Sequence, residues 1–353
     1  MNFKIQTPSR TANPSIPDLF RLQSYEYDLP EALIAQEPVP DRSNARLLVV
    51  DRAQGTIRHD TFRNVHQYLP PEACFVVNNS KVIPARLLGN RETGGRVEMF
   101  LLKSLPDGFC FEVLIRPLKR VRVGEHIHFS TGISAEIKDK ERRIVRFNRR
   151  NVLEVLEQVG HIPLPPYIKR PATRADFHDY QTVYARRPGS VACPTAGLHF
   201  SKELMESLKA RGHRFLQLTL HINYATFKPV ECEDIRQHPM HREPYSVGAS
   251  VYERILQLRQ ESCPIVAVGT TACRVLETLG RAKVCRGTSN LFIYPGFRFR
   301  RTDHLITNFH LPYSTLLMLV CAFGGYDLIM RAYHEAIRER YRFYSYGDAM
   351  LVL

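Results

Sequence analysis

"PIVAVGTTACRVLETLG", residues 264–280, reads as a strand, a short polar turn and a helix. "LITNFHLPYSTLLMLVCAF", residues 305–323, repeats that order. Between residue 161 and the C-terminus the same alternation recurs. Ser201 is a good N-cap for "KELMESLKAR" and Gly212 ends that helix. "FLQLTLHI" (215–222) reads as a strand, and "SVYERILQLRQE" (250–261) and "YDLIMRAYHEAIRERY" (326–341) as amphipathic helices. Alternating strands and helices imply a mainly parallel sheet or barrel of the α/β class.

Upstream the pattern changes. Over residues 90–150, "GGRVEMFLLK", "GFCFEVLIRP", "VRVGEHIHFS", "ISAEIKDK" and "RIVRFN" are short runs separated by turn signals, and Phe109, Phe111, Val113 and Ile115 alternate with other residues. Repeated short strands without helical spacing predict a small antiparallel barrel. "NVLEVLEQVG" (151–160) then carries apolar residues at helical spacing, with Gly160 as its stop. "RLLVVDR" (46–52) is a strand, and "CFVVNNSKVIPARLLG" (74–89) is two extended pieces around a polar turn. The expected organisation is a mobile extension over 1–23, an α/β catalytic domain from 24–72 and 151–353, and an inserted β-barrel domain over 73–150.

Composition narrows the function. The chain has 353 residues, of which 44% are hydrophobic, enough for a core without disulfides. Its formal net charge of +14 favours a polyanionic partner, nucleic acid before an acidic membrane surface; a merely basic enzyme is the plainer alternative. Eight Cys are scattered with no CxxC pair, so no zinc ribbon or thioredoxin-type site is indicated. No secretory apolar region follows Met1, which suggests reduced thiols and a cytoplasmic location. The densest apolar run, "LLMLVCAF" (316–323), reads as a buried helix, well short of the roughly 20 residues that span a bilayer.

In α/β folds ligands bind in the loops at the carboxyl ends of the strands. Four such loops carry chemistry: "PTAGLHF" with Thr195, Gly197 and His199; "LHINYATF" with His221 and Thr226; "VGTTACR" with Gly269, Thr270, Thr271 and Arg274; and "ITNFHLPYST" with Asn308, His310, Ser314 and Thr315. Gly197 and Gly269 would let backbone approach a ligand, while the hydroxyls and helix N-termini could hold a carboxylate or sugar hydroxyls. The alternative for each His is a hydrogen-bonded structural role, and His221, sharing a polar strand face with Gln217 and Thr219, could face solvent. "HPMH" (238–241) has two His three apart, but Pro239 keeps them off a regular helix and no acid motif partners them, so no metal is expected. The pairs Arg149–Arg150, Lys169–Arg170 and Arg186–Arg187, interleaved with Tyr167, Tyr180 and Tyr184, strengthen the nucleic-acid reading over a simple solvated surface.

Taken together, "YDLPEALIAQEPVPDRSNARLLVVDR" (27–52), "NNSKVIPARLLG" (78–89), "ETGGRVE" (92–98), "IPLPPYIKR" (162–170), "YQTVYARRPGSVACPTAGLHF" (180–200), "AVGTTACRVLE" (267–277), "LFIYPGFRF" (291–299), "LITNFHLPYSTLLMLV" (305–320) and "YGDAML" (346–351) resemble the S-adenosylmethionine:tRNA ribosyltransferase-isomerase family of queuosine biosynthesis. The resemblance implies a barrel-like α/β catalytic domain with a small β-barrel inserted. It also implies a reaction: the ribosyl part of S-adenosylmethionine moves onto 7-aminomethyl-7-deazaguanine at a tRNA wobble position, giving epoxyqueuosine, adenine and methionine without a metal.

Under that resemblance His199, His310 and His221 are the candidates for proton transfer. Thr195, Gly197, Thr270, Thr271, Arg274, Asn308, Ser314 and Thr315 would position S-adenosylmethionine. Lys169, Arg170, Arg186 and Arg187 would contact tRNA, and the enzyme would act as a monomer. The chain departs from the family at "HINYATF" (221–227), where two Gly have become Asn223 and Ala225 and a small residue has become Tyr224. Ala272 stands where Ser is usual, and Thr288-Ser289-Asn290 where Trp-Thr-Asp is usual. The competing reading is a tRNA-binding protein of the same fold with weakened chemistry.

Overall fold

The computed structural model describes residues 16–154, 156–223 and 229–353. Its largest element is a nine-stranded sheet in the order Arg286–Ser289, Glu243–Ser246, Arg214–Leu220, Cys74–Asn78, Ile265–Val268, His304–Asn308, Ala349–Val352, Arg46–Asp51 and Thr56–Thr61. The four central strands, from Arg214–Leu220 to His304–Asn308, run parallel. Both flanks contain antiparallel pairings, so the sheet is mixed where the alternation of elements predicted it mainly parallel. The final strand, Ala349–Val352, follows the helix Tyr326–Arg338 after the ten-residue connection 339–348 and enters antiparallel beside His304–Asn308.

Both faces of the sheet are covered, which explains its unbroken apolar runs. Leu48, Val76, Ala267 and Leu305 face a core closed by helices Ala249–Gln260, Thr270–Ala282, Thr315–Gly324 and Tyr326–Arg338. Val49, Phe75, Val266 and Ile306 face a second core with Phe62, Phe200 and Leu208. Each fully buried Leu, Val or Phe contributes about 1.5–3 kcal/mol relative to exposure. Among the described residues no single helix is long and apolar enough to cross a membrane.

The antiparallel barrel closes with six strands: Arg86–Arg91, Arg96–Ser104, Cys110–Arg116, Ile144–Phe147, Ser134–Asp139 and His126–His128, the last returning to the first. Its interior holds Leu87, Met99, Val113, Ile137 and Phe147. The alternation at Phe111, Val113 and Ile115 is the inward face of one of its strands.

Three boundaries differ from expectation. Cys74–Asn78 is a central strand of the large sheet and Ser80–Val82 pairs with Arg187–Ser190, so the barrel begins near Arg86 and not at 73. An all-buried pentapeptide, apolar but for its last residue Asn78, suits the middle of a covered sheet better than a half-exposed barrel wall. The helix expected over 151–160 is a 3₁₀ turn, Val152–Glu154, and one α turn, Leu156–Val159. Gly160–His161 then pairs with the barrel's first strand. Of the expected mobile extension, residues 16–23 pack onto the body: Leu22 is buried, its N–H donates to Glu233 O, and Phe20 meets Tyr294 edge-on. The earlier part lies outside the described residues.

Candidate active site

A cleft opens where the central strands Ile265–Val268 and His304–Asn308 end. Thr195, Thr270, Thr271, Asn308, His310 and Ser314 line it, together with Tyr167, Tyr180, Tyr344 and Ser345. Three of the four loops expected from sequence therefore meet. The fourth contributes Ile222, while Thr226 and most of the altered "HINYATF" segment lie outside the described residues.

One wall is the start of the helix Thr270–Ala282. Its N-cap is Gly269 at φ +88°, a conformation that favours Gly, and no side chain caps its first turn. Gly269, Thr270 and Thr271 line the cleft, so the positive end of the helix dipole faces it. Thr271 Oγ1 accepts from Asn78 Nδ2 at 3.3 Å, and Asn78 also bridges to Leu220 through both its amide groups.

The opposite wall centres on Asn308. Its Oδ1 accepts from Thr195 Oγ1 at 3.0 Å, and its Nδ2 donates to Tyr344 O at 3.1 Å and to His199 Nε2 at 3.3 Å. His310 lines the cleft with Nε2 2.7 Å from Thr307 Oγ1. Its backbone is held by Tyr27, whose hydroxyl donates to His310 O, and by Tyr333, whose hydroxyl accepts from His310 N at 3.0 Å. Burial lowers the His310 imidazole to about 3, so it is neutral at physiological pH.

Several expected site residues sit elsewhere. His199, expected at the mouth, is 4% exposed and packs its ring on Phe62. Burial, with the charges of Arg342 and Arg42, lowers it to about 3. Among the described residues its hydrogen-bonded link to the cleft is Asn308. Gly197 does not approach a ligand: a Cβ there would lie 1.9 Å from the Tyr184 hydroxyl, so its role is close packing. Arg274 is buried, pairs with Glu243 and donates to Leu291 O at 3.1 Å. Glu243 in turn accepts from the Asn223 N–H at 3.1 Å, so the pair anchors the start of the altered loop. Ser314 lines the cleft, but its hydroxyl caps the helix Thr315–Gly324 and donates to Leu311 O. Thr315, the first residue of that helix, is not among the lining residues. His221 lies beside Gly189, half-buried, with Nδ1 unpartnered and burial lowering its pKa.

The residues expected to meet tRNA divide. Arg186 and Arg187 are exposed. Lys169 pairs with Glu31, and Arg170 makes a bidentate pair with the fully buried Asp176 at 2.7 and 2.8 Å. Tyr180 and Tyr184 are buried and the Tyr167 hydroxyl shares a 2.7 Å hydrogen bond with the Ser345 hydroxyl in the cleft wall, so these rings form no exposed stacking surface.

Sequence reasoning passed over Asn78, Tyr167, Thr307, Tyr344 and Ser345 as site residues. Asn78 carried a signal: a polar pair closing an apolar strand, in register with the strand that leads to Gly269. Tyr344 adopts φ +69°, unusual for a large side chain, and presents its carbonyl to Asn308.

Comparison with known proteins bears on this geometry. A family model described as "Queuosine biosynthesis protein" matches residues 22–352. An S-adenosylmethionine:tRNA ribosyltransferase-isomerase from Symbiobacterium thermophilum is 49% identical, covering 94% of this chain and all of the relative. One of the same name from Sulfurihydrogenibium sp. is 46% identical with the same coverage. The crystal structure of S-adenosylmethionine tRNA ribosyltransferase from Thermotoga maritima superposes with a TM-score of 0.55 at 36% identity, over 94% of this chain and 100% of that one.

Proposed function

Because the chain belongs to the S-adenosylmethionine:tRNA ribosyltransferase-isomerase family of queuosine biosynthesis, we propose that the cleft between Thr270 and Asn308 performs that reaction. The enzyme transfers and isomerises the ribosyl moiety of S-adenosylmethionine onto 7-aminomethyl-7-deazaguanine in tRNA. The products are epoxyqueuosine-tRNA, adenine and methionine.

The reaction makes definite demands. The sulfonium acidifies the 5′ carbon–hydrogen bonds, and a base removes one proton. Opening of the sugar ring and loss of adenine leave an aldehyde and a vinyl sulfonium. The deazaguanine amine adds to the vinyl carbon, the ylide so formed attacks the aldehyde to close a five-membered carbocycle, and the alkoxide displaces methionine to form the epoxide.

His310 is the base in this reading, since it is the one candidate imidazole that both lines the cleft and is neutral. In the tautomer whose Nε2–H donates to Thr307 Oγ1, Nδ1 carries the free lone pair the reaction needs. The uncapped first turn at Thr270 and Thr271 suits the substrate carboxylate. Thr195, Asn308 and Ser345 are close enough to hydrogen-bond sugar hydroxyls in the same cleft. Tyr167, Tyr180 and Tyr344 give walls that keep water from the aldehyde and vinyl sulfonium. His199 acts at one remove, as a positioning residue for Asn308.

The observation that carries the reading is the convergence of an uncapped helix start, a neutral histidine and a fixed asparagine in one cleft. Incubation with S-adenosylmethionine and precursor-bearing tRNA, followed by nucleoside mass analysis, tests it. Epoxyqueuosine with one adenine and one methionine per product is the expected outcome; bound S-adenosylmethionine with no change in the tRNA refutes it.

A further inference from the structure

The positive charge of this chain is not evenly spread. Residues 86–150, the barrel segment, contain fifteen Lys and Arg against eight Asp and Glu, a net +7 out of +14 for all 353 residues. Half of the excess therefore sits on fewer than a fifth of the residues, in a unit that contributes nothing to the cleft lining.

Within the barrel the charges separate further. Glu98, Asp107, Glu125 and Glu136 are engaged by Arg86, Arg146, Arg91 and Lys138. Lys119, Arg120, Arg122, Lys140, Arg142 and Arg143 form no ion pair among the described residues. They come from two neighbouring loops, the 3₁₀ turn Leu118–Arg120 and the hairpin between Ser134–Asp139 and Ile144–Phe147. Lys140 Nζ joins the two by donating to Lys119 O at 3.4 Å. The same hairpin carries Asp139 and Glu141, so these six cations face two acids and keep a local excess of positive charge. Like charges in such excess repel one another, and a bound polyanion relieves that repulsion.

This cationic tip connects with the cleft. A groove of about 700 Å³ runs between the barrel and residues 163–172, with Arg86, Phe100, Leu114 and Arg116 on the barrel side. Arg116 leads directly into the cationic turn, and Tyr167, between the groove-lining Pro166 and Ile168, lines the cleft. Segment 163–172 thus borders the groove and carries Tyr167 of the cleft, while Arg116 joins the groove to the tip in sequence. Lys169 and Arg170, on the main body, are held by Glu31 and Asp176 and offer less free charge.

We propose that the barrel tip formed by Lys119, Arg120, Arg122, Lys140, Arg142 and Arg143 grips the phosphate backbone of the substrate tRNA away from the reacting base, the groove leading from there to the cleft. This rests on the tRNA-modifying reading above. The tip supplies affinity and orientation, and takes no part in the chemistry.

The test is the triple variant Lys119→Glu, Arg120→Glu, Arg142→Glu in the full chain, with binding of precursor tRNA measured from 0.05 to 0.3 M salt. Three lost phosphate contacts should weaken binding about 100-fold near 0.15 M and flatten the slope of log Kd against log salt by about 2. The kcat at saturating tRNA and the Kd for S-adenosylmethionine should stay at wild-type values. The Gln triple at the same positions should give a smaller loss in the same direction, and unchanged thermal midpoints exclude misfolding. The charge-matched triple Lys202→Glu, Lys209→Glu, Arg211→Glu, on the helix Lys202–Ala210 and its C-cap, which line neither groove nor cleft, should change Kd by less than about threefold. Wild-type affinity and slope in the barrel triple, or an equal loss in the control triple, overturns the proposal. Because binding is read without turnover, a wild-type protein that binds tRNA but converts none refutes the functional reading while the surface assignment stands.

Discussion

Asn308 holds its side-chain amide 3.3 Å from Nε2 of the buried His199, so the cleft wall and the histidine behind it form one hydrogen-bonded unit. The amide nitrogen donates both to His199 and to Tyr344 O, and its oxygen accepts from Thr195. His199 Nε2 must therefore be an acceptor, and protonating it would set two donors against each other. His199→Ala should cost about 2–4 kcal/mol of stability from the cavity and the freed amide. It should also raise the KM for S-adenosylmethionine about tenfold, the value of one lost, well-placed hydrogen bond. His199→Gln, whose side-chain oxygen can still accept, should recover most of the KM. Steady-state kinetics on both variants checks this; a wild-type KM in folded His199→Ala would uncouple His199 from the cleft.

The two buried imidazoles make stability depend on pH. His199 and His310 are held near 3 by burial, and in His199 also by Arg342 and Arg42, against an ordinary value of 6.5. Above pH 6.5 neither state binds these protons and stability is unaffected. As pH falls below 6.5 the unfolded chain takes them up and the folded chain does not until about 3, so folding weakens throughout that window. For the pair the loss should be about 2 kcal/mol between pH 6.5 and 5.5. Urea denaturation at the two pH values measures it, and His310→Gln should remove about half. A flat profile would mean that the imidazoles titrate normally.

Arg170 behaves as a structural residue. Its guanidinium faces the fully buried Asp176, which also accepts from Tyr346 Oη at 2.9 Å and Thr173 N at 2.7 Å. Arg170→Ala strands that carboxylate and should cost about 3–5 kcal/mol. Calorimetry should therefore show a large fall in the thermal midpoint, while the salt slope of tRNA binding by the folded fraction stays unchanged. The reverse pattern would return Arg170 to the tRNA interface.

Gly197 is required by packing. An added Cβ meets the Tyr184 hydroxyl at 1.9 Å and Thr182 Cγ2 at 2.8 Å. Gly197→Ala should destabilise by about 1–3 kcal/mol. Adding Tyr184→Phe removes the nearest atom and should recover part of that loss. Stability of the double variant no better than that of Gly197→Ala would show that the contact is not the cause.

The α/β class, the inserted barrel and three of the four site loops were legible because periodicity and turn chemistry are local properties. The strand-turn-helix at 264–280 and the capped helices after Ser201 and Ser314 needed only neighbours in sequence. The register that sets Ala349 beside Asn308 was not legible, and with it Tyr344 and Ser345 entered the cleft unannounced. Burial was equally hidden. Gly197 and Arg274 have the residue types of a ligand site, and only the packing of Tyr184 and Glu243 against them reveals another use. Lys169–Arg170 reads as free charge until Glu31 and Asp176, the former 138 residues away in sequence, are brought beside it.

His310 is the proposed proton acceptor in the cleft. The direct measurement is the single-turnover rate of His310→Gln with S-adenosylmethionine and precursor tRNA, alongside the affinity of the same preparation for S-adenosylmethionine. A rate lower by roughly 10²–10⁴, with affinity within about threefold of wild type, is the predicted result. A folded His310→Gln enzyme that forms epoxyqueuosine at the wild-type rate would contradict it.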